Sequence, residues 1–265
     1  SFPTRRSSDL LSLQEFLEAC KLKRVVSIVS EVFSGSESPV NVFEKLGKDN
    51  PGSFLLESAE QGVWSRFSFV GVDIRGQLVQ DHRGLVTWHS EVHGPLPADS
   101  RVALSNNGLT ALSQILSAWT SKIQDSEIPL LSGLVGHINW DVVADLEQIS
   151  VKVDEENPIP RISFAMFKNL VVVDHQNASM LFVSNVFVEG QTAEALSKLY
   201  DQALCDIENM KERVSKPSAP FLAEVDQEID AVLFLGGILA DVPHTRPIHV
   251  HATSHNKQMQ QAFGV

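Results

Sequence analysis

A chain of 265 residues with 43% hydrophobic and 20% charged residues is long enough for one large or two small domains with proper cores, and nothing in that balance points to disorder. The formal net charge of −12, from 33 acidic against 21 basic residues, argues against a nucleic-acid backbone or an anionic membrane surface as partner, since both need clustered Lys and Arg. Small molecules and proteins are the partners this charge allows.

The first ten residues, SFPTRRSSDL, resemble the in-frame translation of a short-read sequencing adapter, which sets the start of the fold-bearing chain near residue 11. Ser12-Leu13-Gln14-Glu15 has the form of a capping box, and Leu13, Phe16, Leu17 and Cys20 follow at helical spacing. The β-branched run VVSIVSEVF (25–33) predicts a strand, and Ser38-Pro39 ahead of Val40, Phe43 and Leu46 predicts a helix with proline in its first turn. Two apolar runs, 54–56 and 67–70, flank Glu60-Gln61-Gly62 and read as a β-hairpin; counting outward from Gln61 and Gly62 brings Glu57 opposite Arg66, about 5 Å apart at Cβ. A further hairpin, 75–80 with 84–89, turns at Asp81-His82-Arg83-Gly84.

Asn106-Asn107-Gly108 opens a helix carrying Leu109, Leu112, Ile115, Leu116 and Trp119. SGLVGHINWDVVADLEQI (132–149) reads as a buried, Gly-rich strand running straight into a helix. The segments 163–175 and 180–188 form another long hairpin, with Asp174-His175 as a strand-ending turn rather than a catalytic pair. A final helix over 192–213 places Leu196, Tyr200, Ala203, Leu204, Ile207 and Met210 on one face. Cys20 and Cys205 each fall on the apolar side of a helical pattern and read as reduced core residues of a cytoplasmic protein. Antiparallel hairpins separated by helices make the fold class α+β.

Beyond about residue 214 the composition turns linker-like, with a boundary expected at 215–220. The longest apolar run near the end, AVLFLGGILADV (231–242), falls short of the about 20 residues a membrane-spanning helix needs, and the N-terminus lacks the apolar core of a signal peptide. His244, His249, His251 and His255 crowd the tail, but no Cys or acidic partner stands at matching spacing, so a solvated loop is the reading and no metal site is expected there. Gly236-Gly237 lacks the remaining residues of a phosphate loop, and Ser58 sits in no nucleophile elbow.

Taken in order, SPVNVFEKL, SFLLESAEQGVWSRFSFVG, GLVGHINWDVVADLE and NLVVVDHQNASMLFVSN resemble motifs of the N-terminal half of anthranilate synthase component I, a chorismate-utilising enzyme of tryptophan biosynthesis. The resemblance covers about residues 12–215; Phe67 stands where the family has Tyr, and His137 and Trp140 replace a Tyr pair in substitutions that a core absorbs by repacking. It implies a chain of four parts: an adapter-like start (1–10), the component I N-terminal domain (11–218), a linker or insertion (219–250), and the possible start of a truncated chorismate-binding domain (251–265).

In this family the Leu-Leu-Glu-Ser segment contributes to a feedback site for L-tryptophan. The resemblance therefore implies Glu57 facing the ammonium, Ser58 hydrogen-bonding the zwitterion, and Arg66 as a weaker candidate for the carboxylate. Read from the pattern alone, Glu57 and Arg66 form a structural cross-strand pair and Ser58 satisfies backbone. The family's Mg2+ and chorismate ligands lie in a C-terminal half that has no counterpart here, so the resemblance implies no catalytic residue in this chain and an inactive fragment of a lyase. Its implied partners are a glutamine amidotransferase subunit, its own chorismate-binding domain and L-tryptophan. Two other readings stay open: a fragment of the sister aminodeoxychorismate synthase component I, and a stand-alone amino-acid-binding module without catalysis.

Overall fold

The computed structural model describes residues 10–57, 66–100, 102–120, 128–147 and 159–217. The chain divides into two units, Ser1–Ser218 and Ala219–Val265, and the described residues all belong to the first. The adapter-like start up to residue 9, the Glu60-Gln61-Gly62 connection, the apolar run 231–242 and the histidine-rich tail lie outside them.

In chain order the elements are α1 (Leu13–Cys20), β1 (Val25–Phe33), α2 (Pro39–Leu46), β2 (Phe54–Leu56), β3 (Phe67–Gln80), β4 (Val86–His89), α3 (Gly108–Trp119), β5 (Leu134–Ile138), α4 (Val143–Leu146), β6 (Ile162–Asp174), β7 (Ser179–Phe187) and α5 (Ala193–Ser215). Local chemistry accounts for the helix starts. Ser12 and Glu15 close a reciprocal capping box on α1, while Ser38, Asn107 and Thr192 each accept a hydrogen bond from a first-turn backbone N–H of α2, α3 and α5. The result is the α+β fold expected, with every strand pair antiparallel.

The spine of the sheet is the long pair β3 and β6, matched from Phe67↔Asp174 to Gln80↔Ile162. The main strand order is β1-β7-β6-β3-β2; β4 pairs with the far end of β3, and β5 with the near end of β6. Successive residues of β6 point to opposite faces, and both faces are covered. Val171 and Val173 join Val70, Val72, Ile28 and Phe182 beneath α1, α2 and α5, whereas Leu170 and Val172 join Val183, Leu181 and the half-buried Phe54, Phe67 and Phe69 on the other side. A third cluster seats Ala111, Ile115 and Trp119 of α3 on Leu78 and Met166.

The structure departs from the sequence expectations in several places, each with a physical cause. β3 is one 14-residue strand, not two short ones: Asp73 takes a left-handed conformation (φ 53°) and the register slips between Ile74 and Gly76, so a bulge absorbs the irregularity while pairing with β6 continues. β5 is no buried strand. It is a half-exposed edge lying so close to β6 that a Cβ at Gly136 would sit 1.8 Å from the Ser163 carbonyl oxygen, and the helix after it shrinks to a 3-10 turn (Trp140–Val142) and the single turn of α4. Trp140, expected in a core position, is 82% exposed. On α5, Val214 joins the buried face and Leu204 is only partly buried. Cys205 is exposed rather than in the core, whereas Cys20 is buried as expected. Among the described residues no helix is long and apolar enough to cross a membrane.

Candidate functional site

Two of the three expected binding residues, Glu57 and Arg66, stand where β2 ends, β3 begins and β6 ends. β2 and β3 are antiparallel, as the hairpin reading requires, with Phe54↔Gly71 and Leu56↔Phe69 in register. Continued by one residue, that register sets Glu57 against Ser68. The count that opposed Glu57 to Arg66 is therefore off by two, because it assumed the centre of a connection that lies outside the described residues. Close approach fixes β2 on β3: a Cβ on Gly71 would fall 2.0 Å from the Phe54 ring, which itself packs edge-on against Phe167 with centroids 5.4 Å apart.

Glu57 directly follows β2 and is exposed. Ser58 lies outside the described residues. Arg66 directly precedes β3, and its partner is Asp174 at the end of β6. Nε donates to both Asp174 oxygens at 3.1 Å and Nη2 to Oδ2 at 2.7 Å, while the guanidinium carbon lies 4.6 Å above the Phe67 ring. The expected acid for Arg66 was Glu57; the structure supplies Asp174 instead.

Asp174 is 3% exposed and also organises the β6–β7 turn, accepting from the backbone N–H groups of Gln176 (3.0 Å) and Asn177 (3.2 Å) and from Asn177 Nδ2 (2.9 Å). Burial alone would raise its proton affinity, but the Arg66 hydrogen bonds and the Asn177 and Gln176 amides outweigh it and hold the carboxyl below the ordinary range. The carboxylate is thus ionised at neutral pH, and its charge is spent on structure. Beside it, Ser68 Oγ, 1% exposed, lies 2.8 Å from Nε2 of the exposed His175, and the His175 backbone N–H donates to the Arg66 carbonyl at 2.9 Å. Asp174 faces Arg66 rather than the imidazole, so Ser68, His175 and Asp174 are not chained as a nucleophilic triad.

What the arrangement offers a ligand is therefore an exposed carboxylate at Glu57, set by register beside Ser68, next to strand ends where Arg66 and Asp174 hold each other. The Arg66–Asp174 pair has no counterpart in the sequence reading. Asp174-His175 forms the strand-ending turn that the sequence predicts, as its Asx-type hydrogen bonds show, but its contact with residue 66 spans 108 positions and leaves no local signal. Among the described residues no group of three or more His, Cys, Asp or Glu could hold a metal ion.

No family model matches the chain. Curated relatives do: anthranilate synthase component 1 of Arthrobacter globiformis is 27% identical over 206 residues, covering 77% of this chain and 38% of its own length. The Mycolicibacterium smegmatis protein of the same name is 28% identical over 212 residues (79% and 39%), and that of Mycobacterium tuberculosis H37Rv 29% over 210 residues (78% and 39%). The chain spans about two fifths of the length of these relatives, corresponding to their N-terminal part, and the resemblance read from its motifs is borne out. Among solved structures, anthranilate synthase component I from Streptococcus pneumoniae TIGR4 is 18% identical with a TM-score of 0.42, over 71% of this chain and 37% of that one.

Proposed function

We infer that this chain is the N-terminal regulatory and scaffold part of an anthranilate synthase component I. The observation that carries the reading is the similarity to the N-terminal two fifths of proteins of that name over more than three quarters of this chain. The complete protein would convert chorismate and glutamine-derived ammonia to anthranilate and pyruvate, the lyase step that opens tryptophan synthesis, with a glutamine amidotransferase subunit as the source of ammonia. Chorismate chemistry and Mg2+ would belong to the C-terminal part of such an enzyme.

Within this piece the proposed task is feedback sensing. L-Tryptophan would place its ammonium at Glu57 and its zwitterionic head against Ser58, and its indole would need apolar surface supplied partly from outside this unit. Arg66, engaged by Asp174, would be the weaker candidate for the carboxylate. Inhibition follows if tryptophan binds the inactive state of the enzyme more tightly than the active one, because only differential affinity shifts the balance. The test is to join residues 11–218 to the C-terminal part of the Arthrobacter globiformis relative, supply ammonium, and assay anthranilate from chorismate. Tryptophan-inhibited anthranilate formation supports the reading. A folded fusion that forms no anthranilate, or forms it with no response to tryptophan, contradicts the enzyme or the sensor half respectively.

A further inference from the structure

About nine residues along β3 from Arg66, roughly 30 Å at strand rise, the bulge opens onto a second feature. A cleft of about 930 Å3 lies between the bulge, the loop after β4, the end of β7 and α5, at the upper end of the size range of small-molecule sites. Arg75 forms its floor. The side chain is 2% exposed, with the guanidinium carbon 4.5 Å from the Trp119 ring and 4.9 Å from Phe187; Nη1 donates to the Gly94 carbonyl at 2.8 Å and Nη2 ion-pairs with Glu189 Oε1.

Three groups on this cleft have bonding capacity to spare. Glu189, 20% exposed, uses one carboxylate oxygen on Arg75, and the other has no partner among the described residues. Lys168, 38% exposed, ion-pairs with Asp206 Oδ2 at 2.6 Å without hydrogen-bond geometry, which leaves its N–H donors to spare. Trp88 supplies a flat wall: its ring lies over Gly76, where a Cβ would stand 2.2 Å away, and its indole N–H is tied to the His93 carbonyl at 2.8 Å, so the ring cannot swing out. The fixed charges lining the cleft are two of each sign, Arg75 and Lys168 with Glu91 and Glu189; Arg75 is paired with Glu189, and Lys168 also pairs with Asp206 behind it. Burial and the nearby Arg75 keep the His93 imidazole below its ordinary pKa and neutral at pH 7. A ligand with net charge would unbalance one of these pairs; one with both charges would not.

We propose that this cleft binds a small, net-neutral zwitterion carrying a flat ring, its ammonium on Glu189, its carboxylate on Lys168 and its ring on Trp88. This site is separate from the strand-end site around Glu57 and does not depend on what binds there. The test titrates the full 265-residue chain by calorimetry with L-phenylalanine, L-tyrosine and L-histidine, and with the two half-charged analogues 3-phenylpropionate and phenethylamine. At least one zwitterion is expected to bind about tenfold or more tighter than either analogue, to weaken about tenfold in Lys168→Met and in Trp88→Leu, and to bind unchanged in Glu57→Ala. Lys168 is half-exposed, so Lys168→Met serves even if Trp88→Leu misfolds. The proposal fails if no zwitterion binds at millimolar concentration, if an analogue binds equally well, if folded Lys168→Met retains full affinity, or if Glu57→Ala abolishes binding.

Discussion

Replacing Asp174 by Ala removes the carboxylate that joins Arg66 to the β6–β7 turn. It leaves four donor groups without their acceptor, the Arg66 guanidinium, the Gln176 and Asn177 backbone amides and Asn177 Nδ2, of which the guanidinium, 29% exposed, recovers partial hydration. Hydrogen bonds to charged groups contribute about 1.5–3 kcal/mol each, and the partial rehydration lowers the total, so the expected loss is about 3 kcal/mol. For a unit of this size that corresponds to a melting point lower by about 6–12 °C. Asp174→Asn keeps an acceptor for the turn but not the charge and should lose about half as much. Because the folded-state pKa of Asp174 is depressed, the folded protein binds fewer protons than the unfolded chain at acid pH. Its contribution is complete above the unfolded carboxylate value of about 3.9 and disappears as pH falls through the lower folded value. The gap between wild type and Asp174→Asn should therefore close below about pH 4. Urea unfolding of both variants from pH 7 to pH 3 reads both effects. A folded Asp174→Ala within about 0.5 kcal/mol of wild type at pH 7 would refute the reasoning.

Two further outcomes follow from packing and burial. Gly136→Ala drives a methyl into the Ser163 backbone and should cost about 2 kcal/mol; hydrogen exchange at Leu134–Ile138 should quicken as β5 lifts from β6, and unchanged exchange there would show that the edge can yield. Cys20 is buried and its thiol is pushed up to about 11, while Cys205 is exposed, so a thiol reagent at pH 8 should titrate one group quickly and the second only after denaturation. Two fast groups in the native protein would contradict the burial of Cys20.

Helix starts were legible because capping is local: Ser12, Ser38, Asn107 and Thr192 each announce an N-terminus within four residues of chain. β1, β6 and β7 were legible from β-branched runs. The course of β3 was not. Gly71 and Asp73 look like breakers, and only β6, some hundred residues downstream, keeps the strand going through the bulge. β5 misled for the opposite reason: an apolar, Gly-rich run resembles a buried strand, yet among the described residues it pairs with β6 alone, which no periodicity reveals. Cys205 sits beside the buried stripe of α5, where one helical step separates it from Leu204 and decides exposure. At the candidate site the sequence names Glu57 and Arg66, but the Arg66–Asp174 pair joins distant strand ends that local counting cannot bring together.

The central claim is that the hairpin end carrying Glu57 and Ser58 senses tryptophan, and calorimetric titration of L-tryptophan into residues 11–218 joined to a relative's C-terminal part, with Glu57→Ala and Ser58→Ala alongside, tests it most directly. Binding in the parent that weakens about tenfold or more in either variant, a loss of roughly 1.4 kcal/mol, is the predicted result. Undiminished binding in both variants, or none in a folded parent, would contradict it and leave Glu57 and Ser58 as parts of the hairpin alone.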